Sequence, residues 1–416
     1  MNLRPPTPVP PQLPRLAVLA LVAWAAGCAP APTEPPPPDV GPVTWHKDLE
    51  PVVASRCGGC HQAGGIAPFA LDTFAAAKPL AGAMASATAA RRMPPWMPAA
   101  DCNRYRDDRS LSAREIELFQ AWAEQGALEG EPGSGPSAPP SEAGLSSVDA
   151  ELTADAYLPS TTEPDDFHCF VVDPQLAAAK NLVAYEFVPG AKSMVHHVLI
   201  YAVPRATAVA HDQADPGPGF ACSTGSSAPD GPLVGGWVPG TRAVYFPSGT
   251  GLPVGPGDAL VMEMHYNLAN GAQLDQSKLQ LQFATSPVKQ ARMLGFSDTQ
   301  FSVPPHAMGF TPPNYPKTQT VQAAGKLWGV LPHMHRRGQK FRYEIRDGST
   351  DTCVLAIDRW EYSWQEMFML AEPISVPKGA SVRLSCTWDN ELDKPVVWGE
   401  GTDSEMCVSF AYVTVD

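Results

Sequence analysis

The 416-residue chain is poor in charge, and most of the charge it carries is negative. Charged residues make up 17% of the sequence, below the roughly one quarter usual in soluble domains, and the formal net charge is −14. Proteins that bind nucleic acid need a basic face, so the composition argues against DNA or RNA as a partner. The 46 prolines and 34 glycines favour short strands and many turns over long helices.

Long apolar runs are also missing. The apolar stretch 16–26 is too short to cross a bilayer, but it follows Arg4 and Arg15 as the apolar part of an export signal does. No other segment is a candidate for crossing a membrane. We therefore expect an exported protein with a signal peptide over residues 1–28.

The signal ends in small residues before Cys28, which resembles a bacterial lipoprotein cleavage site, although Leu usually stands where this chain has Ala25. This pattern predicts that Cys28 becomes a lipid-modified N-terminus and is the only contact with the membrane. The expected location is the periplasmic face of the outer membrane or the cell surface. The alternative is an ordinary cleaved signal in which Cys28 has no special role.

Two segments rich in proline and glycine divide the remaining chain. Residues 29–42 predict a stiff tether, and residues 130–149, which lack apolar periodicity, predict a linker. Residues 43–129 between them are expected to be helical, and Ser112 and Glu115 have capping-box spacing. One helical face after this box is formed by Ile116, Phe119, Trp122 and Ala123.

Beyond the linker, short β-rich runs alternate with Pro and Gly turns, which is typical of antiparallel sandwiches. The length exceeds that of one sandwich, so we expect two jelly-roll-like domains, over 150–288 and 289–416. The predicted fold class is mostly β, with two antiparallel sandwiches preceded by a small all-α domain. The runs are 181–187, 194–203, 259–266, 279–284, 326–331, 340–345, 381–387 and 408–414.

Cys57, Cys60 and His61 form a C-x-x-C-H motif in the helical part. Two thiols at this spacing can form thioether bonds to the vinyl groups of haem, and the adjacent His then reaches the iron. A redox or zinc-binding Cys pair followed by a chance His is the alternative. For the sixth iron ligand we favour Met93, which two prolines follow and stiffen, over Met97.

Residues 43–129 resemble class I cytochromes c, with a helix before the Cys pair, a Met loop and a C-terminal helix that carries Trp122. The resemblance implies one covalent haem c. His/Met ligation of that haem raises its reduction potential.

The β-rich part holds eight of the ten histidines, and four of those eight lie in two tight clusters. His196 and His197 are adjacent, so on a regular strand they point to opposite faces; both bind one metal only if the backbone twists or their ring nitrogens differ. His265 lies in another apolar run. His333 and His335 share one face, which is the simplest two-imidazole metal site on a sheet.

Met406 enters a later apolar strand, and a thioether is a soft ligand that selects copper over Zn or Mg. Taken singly, these residues have ordinary explanations as structural or exposed histidines and a core methionine. In this order, over about 165–416, they resemble the copper type II ascorbate-dependent monooxygenases, the family of peptidylglycine α-hydroxylating monooxygenase and dopamine β-monooxygenase.

The resemblance implies two copper ions. One is bound in the first sandwich and stores and passes electrons; the other, in the second sandwich, binds O2 and hydroxylates a C–H bond. The implied catalytic ligands of the second copper include a methionine, which keeps copper ready for O2. The ligands are His196, His197 and His265 for the first copper, and His333, His335 and Met406 for the second.

Six cysteines remain after the haem pair and Cys28, and an even number in an exported protein suggests disulfides. The resemblance implies a bond from Cys407 to a cysteine on a nearby strand, which Cys386 fits. Pairing stays open for Cys102, Cys169, Cys222 and Cys353. The other histidines are expected to be surface or structural: His46, His168, His211 and His306.

The sequence departs from the peptide-amidating members, in which an Arg, an Asn and a Tyr hold the substrate carboxylate. Leu331, Val408 and Phe410 stand at those places here. The departure argues against glycine-extended peptides and for a small apolar or aromatic substrate alongside O2.

The expected function is therefore a copper monooxygenase whose fused haem relays electrons from an ascorbate-like reductant or a periplasmic redox protein. The linker 130–149 is expected to be flexible and to let the haem approach the first copper. One alternative is a periplasmic electron-transfer or copper-binding lipoprotein without oxygenase activity. Another is a lipoprotein whose sandwiches bind a partner.

Overall fold

The computed structural model describes residues 41–65, 67–135, 144–161, 163–222, 231–241, 243–399 and 403–416. All of them belong to one compact unit, Gly41–Asp416. The expected signal peptide, tether and lipidation site lie outside the described residues, as does the middle of the expected linker. Among the helices described, none combines the length and the apolar character that a membrane crossing requires.

The helices concentrate in the first 90 described residues. They are α1 (Glu50–Arg56, preceded by a π-helical turn at Trp45–Leu49), α2 (Phe74–Ala77), α3 (Ala81–Ala89), α4 (Ala113–Glu124) and, between two strands, α5 (Arg205–Ala214). Short 3₁₀ turns lie at Lys78–Leu80, Leu268–Asn270 and Tyr362–Trp364.

The predicted capping box starts α4. The Ser112 hydroxyl accepts a hydrogen bond from the Glu115 amide at 3.1 Å, and the Glu115 carboxylate accepts one from the Ser112 amide at 2.7 Å. Phe119 and Trp122 are buried, and the Trp122 ring lies 5.6 Å from that of Trp45. The last helix of the helical part thus packs against its first turn.

The rest of the described chain is built from strands, and all eight predicted runs are strands. The strands are β1 (Ala150–Thr153), β2 (Asp165–Val172), β3 (Lys180–Val188), β4 (Val195–Pro204), β5 (Phe220–Ala221), β6 (Leu233–Trp237), β7 (Val244–Tyr245), β8 (Thr250–Val254), β9 (Asp258–Asn267), β10 (Lys278–Phe283), β11 (Lys289–Ser297), β12 (Ser302–Val303), β13 (Lys317–Thr320), β14 (Gly325–His333), β15 (Gly338–Asp347), β16 (Thr350–Ile357), β17 (Phe368–Val376), β18 (Ser381–Trp388), β19 (Val396–Val397) and β20 (Val408–Val415).

The strands form two layered halves that share one sheet. A nine-stranded sheet runs β1-β10-β3-β8-β11-β20-β14-β17, with β7 beside β3. Its first half packs on the sheet β5-β2-β9-β4-β6 around one core, and its second half packs on β13-β18-β15-β16 around another. The halves meet where β11 pairs in parallel with β8, with Lys289 opposite Thr250, just after the expected boundary.

The described residues contain three disulfides. Cys386–Cys407 is the pair that the family resemblance implied. The other two are Cys169–Cys222 in the first half and Cys102–Cys353, which ties the helical part to the second half across 251 residues.

Residues 98–109 dock the helical part on the second half. The Ala99 amide donates to the Ala356 carbonyl at 2.8 Å, and the Arg106 amide donates to the Met369 carbonyl at 2.8 Å. Together with the 102–353 disulfide, these bonds fix the helical part in place. These contacts favour a docked helical part over one that moves on a flexible linker, and the composition of a linker does not reveal a distant cysteine pair.

Replacing Ser112 with Ala removes the oxygen that accepts from the first turn of α4. We expect the helix to lose about 1 kcal/mol of local stability, since a cap is typically worth that much. Hydrogen exchange of the α4 amides, followed by mass spectrometry, measures the change as faster exchange.

Ser86→Ala is the matched control, because Ser86 is exposed inside α3 and caps nothing. Equal exchange of α4 in the two variants would show that the box contributes nothing measurable.

Candidate functional site

The first histidine cluster lies on two neighbouring strands. His197 in β4 is directly opposite His265 in β9, and the register between these strands shifts between Val195 and His197. This bulge puts His196 out of the regular alternation and re-aims its side chain. Both adjacent histidines can therefore face the same point, which a regular strand forbids.

The three rings converge through one nitrogen each. The Nδ1 atoms of His196 and His197 lie 3.2 Å apart, those of His196 and His265 3.1 Å, and those of His197 and His265 3.3 Å. Two ligand atoms about 2.0 Å from one ion at tetrahedral angles lie roughly 3.3 Å apart. The three imidazoles therefore fit one transition-metal ion and leave a fourth position free.

Burial favours the neutral form of two of these imidazoles, His196 and His197. It lowers the pKa of His196 to about 4 and that of His197 well below its usual value, and the neighbouring rings lower both further. Neutral rings have a free lone pair for a metal at neutral pH.

Asp165 orients the third ring, and sequence reasoning missed it. The His265 Nε2–H donates to the Asp165 carboxylate at 2.9 Å, which leaves Nδ1 with its lone pair. The same carboxylate accepts a hydrogen bond from Arg336 at 3.0 Å. The His265 bond is the main reason why the pKa of Asp165 is lowered. A carboxylate behind a metal-ligating His is a common device, but nothing local in the sequence marks this one.

The second cluster lies at the end of β14 and just beyond it. The rings of His333 and His335 are 5.3 Å apart and nearly perpendicular, at 86°. The His335 Nδ1–H donates to the Ser404 carbonyl at 3.1 Å, which leaves Nε2 free for a metal. His333 pairs with Val408 between β14 and β20, and buried Met406 lies two residues before Val408.

Glu405 holds this second cluster in shape and was also missed. Its buried carboxylate accepts bonds from the amides of His335 at 2.9 Å and Arg337 at 2.6 Å, and from the Trp388 indole at 3.0 Å. Burial raises the pKa of Glu405 to about 7. These bonds tie the turn after β14 to the segment that carries Met406, just before β20.

A cavity of about 310 Å³ lies beside the first cluster and reaches residues next to the second. Asp165, His196 and His265 line it from the first half, and Arg336 and Tyr362 from the second. The Arg336 guanidinium sits over the Tyr362 ring at 5.7 Å. Arg336, next to His335 in the chain, thus lines the cavity beside the first cluster.

The C-x-x-C-H motif opens into a second cavity of about 1270 Å³. Cys57 and Cys60 are unpaired thiols in its wall, together with Met93 and Met97. The His61 Nδ1–H donates to the Phe69 carbonyl at 3.0 Å, which leaves Nε2 free. This volume exceeds the roughly 300–1,000 Å³ usual for ligand sites, so a large planar cofactor has room.

The remaining histidines take part in other contacts. His46 bonds Glu50, His168 bonds the Pro218 carbonyl, His306 bonds Asp393, and His211 stacks on Phe220.

Replacing Asp165 with Ala removes the acceptor that fixes the His265 ring. We expect the affinity of the first cluster for Cu(I) to fall about 10–100-fold, which is the usual effect of losing such a partner. A competition titration against a Cu(I) chelator measures the change.

Asp166→Ala is the matched control, because the neighbouring carboxylate accepts from Tyr157 and not from a proposed ligand. Unchanged affinity in Asp165→Ala would show that the carboxylate does not support the site.

Comparison with known families agrees with this geometry. The family described as copper type II ascorbate-dependent monooxygenase, N-terminal domain, matches residues 151–273. Its C-terminal domain counterpart matches residues 292–414, so more than half of the chain is covered.

Three curated relatives are similar at lower identity. Dopamine beta-hydroxylase of Canis lupus familiaris is 28% identical over 197 residues, covering 43% of this chain and 31% of the relative. That of Rattus norvegicus is 25% identical over 282 residues, covering 62% and 44%. DBH-like monooxygenase protein 2 of Mus musculus is 25% identical over 277 residues, covering 60% and 43%. The chain spans less than half the length of each of these relatives. With both of its domains matched, the chain belongs to the copper type II ascorbate-dependent monooxygenase family.

Proposed function

We propose that this protein is a copper-dependent monooxygenase that uses O2 to hydroxylate a C–H bond of a small substrate. The observation that carries the proposal is the convergence of three Nδ1 atoms, of His196, His197 and His265, at 3.1–3.3 Å from one another. Membership of the copper monooxygenase family supports copper as the metal.

The donor sets suit different tasks. His196, His197 and His265 offer three imidazoles, which suit a copper ion that cycles between Cu(I) and Cu(II). At the second site we assign His333, His335 and the thioether of Met406, a soft ligand that favours Cu(I). Copper bound there would supply the reduction of O2, which with two electrons and two protons places one oxygen atom in the substrate and the other in water.

The chain's own residues position these ligands and select the substrate. Asp165 holds His265 in one tautomer, and Glu405 holds the turn that carries His335. Around the second site, Leu331 and Val408 are buried and Phe410 is half-buried, so a substrate carboxylate has no cationic partner at these positions. We infer a small apolar or aromatic C–H donor.

We also propose that Cys57, Cys60 and His61 hold a covalent haem c. Both thiols are unpaired in the wall of a large cavity, and His61 keeps Nε2 available. For the sixth ligand, the sulfur of Met97 already accepts a bond from the Glu361 amide at 3.2 Å, which favours Met93. The haem would supply electrons to the copper sites from an ascorbate-like reductant or a periplasmic redox protein.

We also propose that the protein is exported. The three disulfides of the described residues suit an oxidising compartment outside the cytosol. We propose lipid attachment at Cys28, with the chain at the periplasmic face of the outer membrane or at the cell surface.

The copper-loaded enzyme is expected to bind two copper ions and to consume O2 only with a small phenylalkyl or similar apolar substrate, and not with a glycine-extended peptide. In His335→Ala we expect this uptake to fall to background, because the second site loses a ligand. Oxygen-electrode assays with product detection measure both effects, and copper is counted by elemental analysis.

His306→Ala is the control, since His306 is exposed and its Nε2 bonds Asp393, away from both clusters in the sequence. Two bound coppers without substrate-dependent uptake would instead indicate an electron-transfer or copper-binding protein. Efficient peptide amidation would overturn the inferred substrate class.

For the haem, the double variant Cys57→Ser, Cys60→Ser is expected to lose the covalently bound chromophore, because no thioether can form. Met93→Ala is expected to change the axial ligation seen in the absorbance and EPR spectra, and Met97→Ala to leave it unchanged. The opposite result for the two methionines would reassign the sixth ligand.

A further inference from the structure

We propose that the helical part is a fixed electron-delivery module, docked so that its C-x-x-C-H motif serves the first histidine cluster and not the second. This inference rests on the haem c of the proposed function. In place of an electron donor that moves on a linker, the motif is in permanent contact with the loop 238–241 after β6.

The motif touches the loop through the Cys60 sulfur and through two facing glycines. The Cys60 sulfur lies 3.4 Å from the Pro239 carbonyl oxygen. A Cβ added to Gly59 would lie 2.7 Å from the Gly240 Cα, closer than atoms of this kind can approach. Gly240 itself has φ +89°, a conformation that side chains rarely adopt. Two glycines therefore allow the motif and the loop to touch.

The loop is held rigidly at this point. The Thr241 amide donates to the Val238 carbonyl at 2.9 Å, and the Trp237 indole donates to the Thr241 carbonyl at 2.8 Å. A closed turn of this kind keeps Pro239 and Gly240 in one place against the motif.

The loop leads directly to the first cluster. Trp237 ends β6 and pairs with Val198 in β4, which is the residue after His197. The path from Cys60 to His197, a proposed copper ligand, thus runs through residues 237–239 and the pairing of β6 with β4. His196 also lines the cavity that holds the motif.

The second cluster does not reach the wall of this cavity. Among the described residues that line the motif's cavity, His196 comes from the first cluster and none comes from the second. The placement of the motif therefore favours the first cluster as the acceptor of electrons.

Contacts on other sides prevent the motif from leaving. The Cys102–Cys353 disulfide and the backbone bonds of residues 98–109 hold one side. The Arg109–Glu366 ion pair, at 2.5 Å and mostly buried, closes the cavity wall, and Arg359 donates to the Ala90 carbonyl at 3.1 Å. With haem and copper bound, each transfer would move one electron from ferrous haem to Cu(II), leaving ferric haem and Cu(I), and two transfers would supply one turnover.

Rapid mixing of the haem-reduced, copper-loaded protein tests the proposal through the rate of haem oxidation. In the unaltered chain we expect this rate to be independent of added glycerol and of ionic strength, because no domain movement precedes transfer. Gly59→Leu forces the motif off the loop and is expected to lower the rate several-fold. Gly82→Leu is the matched control, since a Cβ at Gly82 meets nothing within 4 Å.

A rate that falls in proportion to viscosity would overturn the fixed docking, as would equal rates in the two leucine variants. A chain that carries no covalent haem would instead overturn the haem assignment itself, and absorbance before mixing detects this outcome.

A second measurement does not depend on the Gly59 variant. In His335→Ala, loaded with copper at the first cluster alone, pulsed dipolar EPR between ferric haem and Cu(II) is expected to give one narrow distance. A broad distribution would mean that the helical part moves, and the proposal would then fail even with haem and copper both bound.

Discussion

The parallel pairing of β8 with β11 joins the two halves into one sheet, and the relative placement of the two histidine clusters depends on it. β14 belongs to that shared sheet. Leu331 on β14 packs into the first core, whereas its neighbour Val330 packs into the second. His333 is two residues after Leu331 and shares its face, so it points towards the first half. Backbone hydrogen bonds in one sheet thereby set where His333 lies relative to the first half.

In each cluster a carboxylate holds a histidine in position, through the ring of one and through the backbone of the other. Asp165 accepts from His265 on one side and from Arg336, next to His335, on the other. It therefore connects the first cluster to the residue beside the second. Glu405 acts within the second cluster, where its bonds to backbone amides hold the His335 turn. Burial makes such bonds strong and makes an unpaired partner costly, so both arrangements are rigid.

The docked helical part changes how the chain is organised. A disulfide holds the helical part against the second half, and a glycine-lined contact places the motif in a cavity that His196 also lines. Under the proposed function, such preorganisation would remove the entropy cost of bringing two sites together for each electron.

The sequence by itself determined the local features: the strands, the capping box of α4, the C-x-x-C-H motif and, through family resemblance, the Cys386–Cys407 pair and the candidate metal ligands. The strands, the capping box and the haem motif follow from short-range periodicity and spacing, which a sequence states directly, whereas the cysteine pair and the ligands were implied by the resemblance. Only the tertiary structure decided the bulge that turns His196, the roles of Asp165 and Glu405, and the Cys102–Cys353 bond. Each of these joins residues far apart in the chain or depends on strand register, and register is set by packing between strands rather than by any one segment.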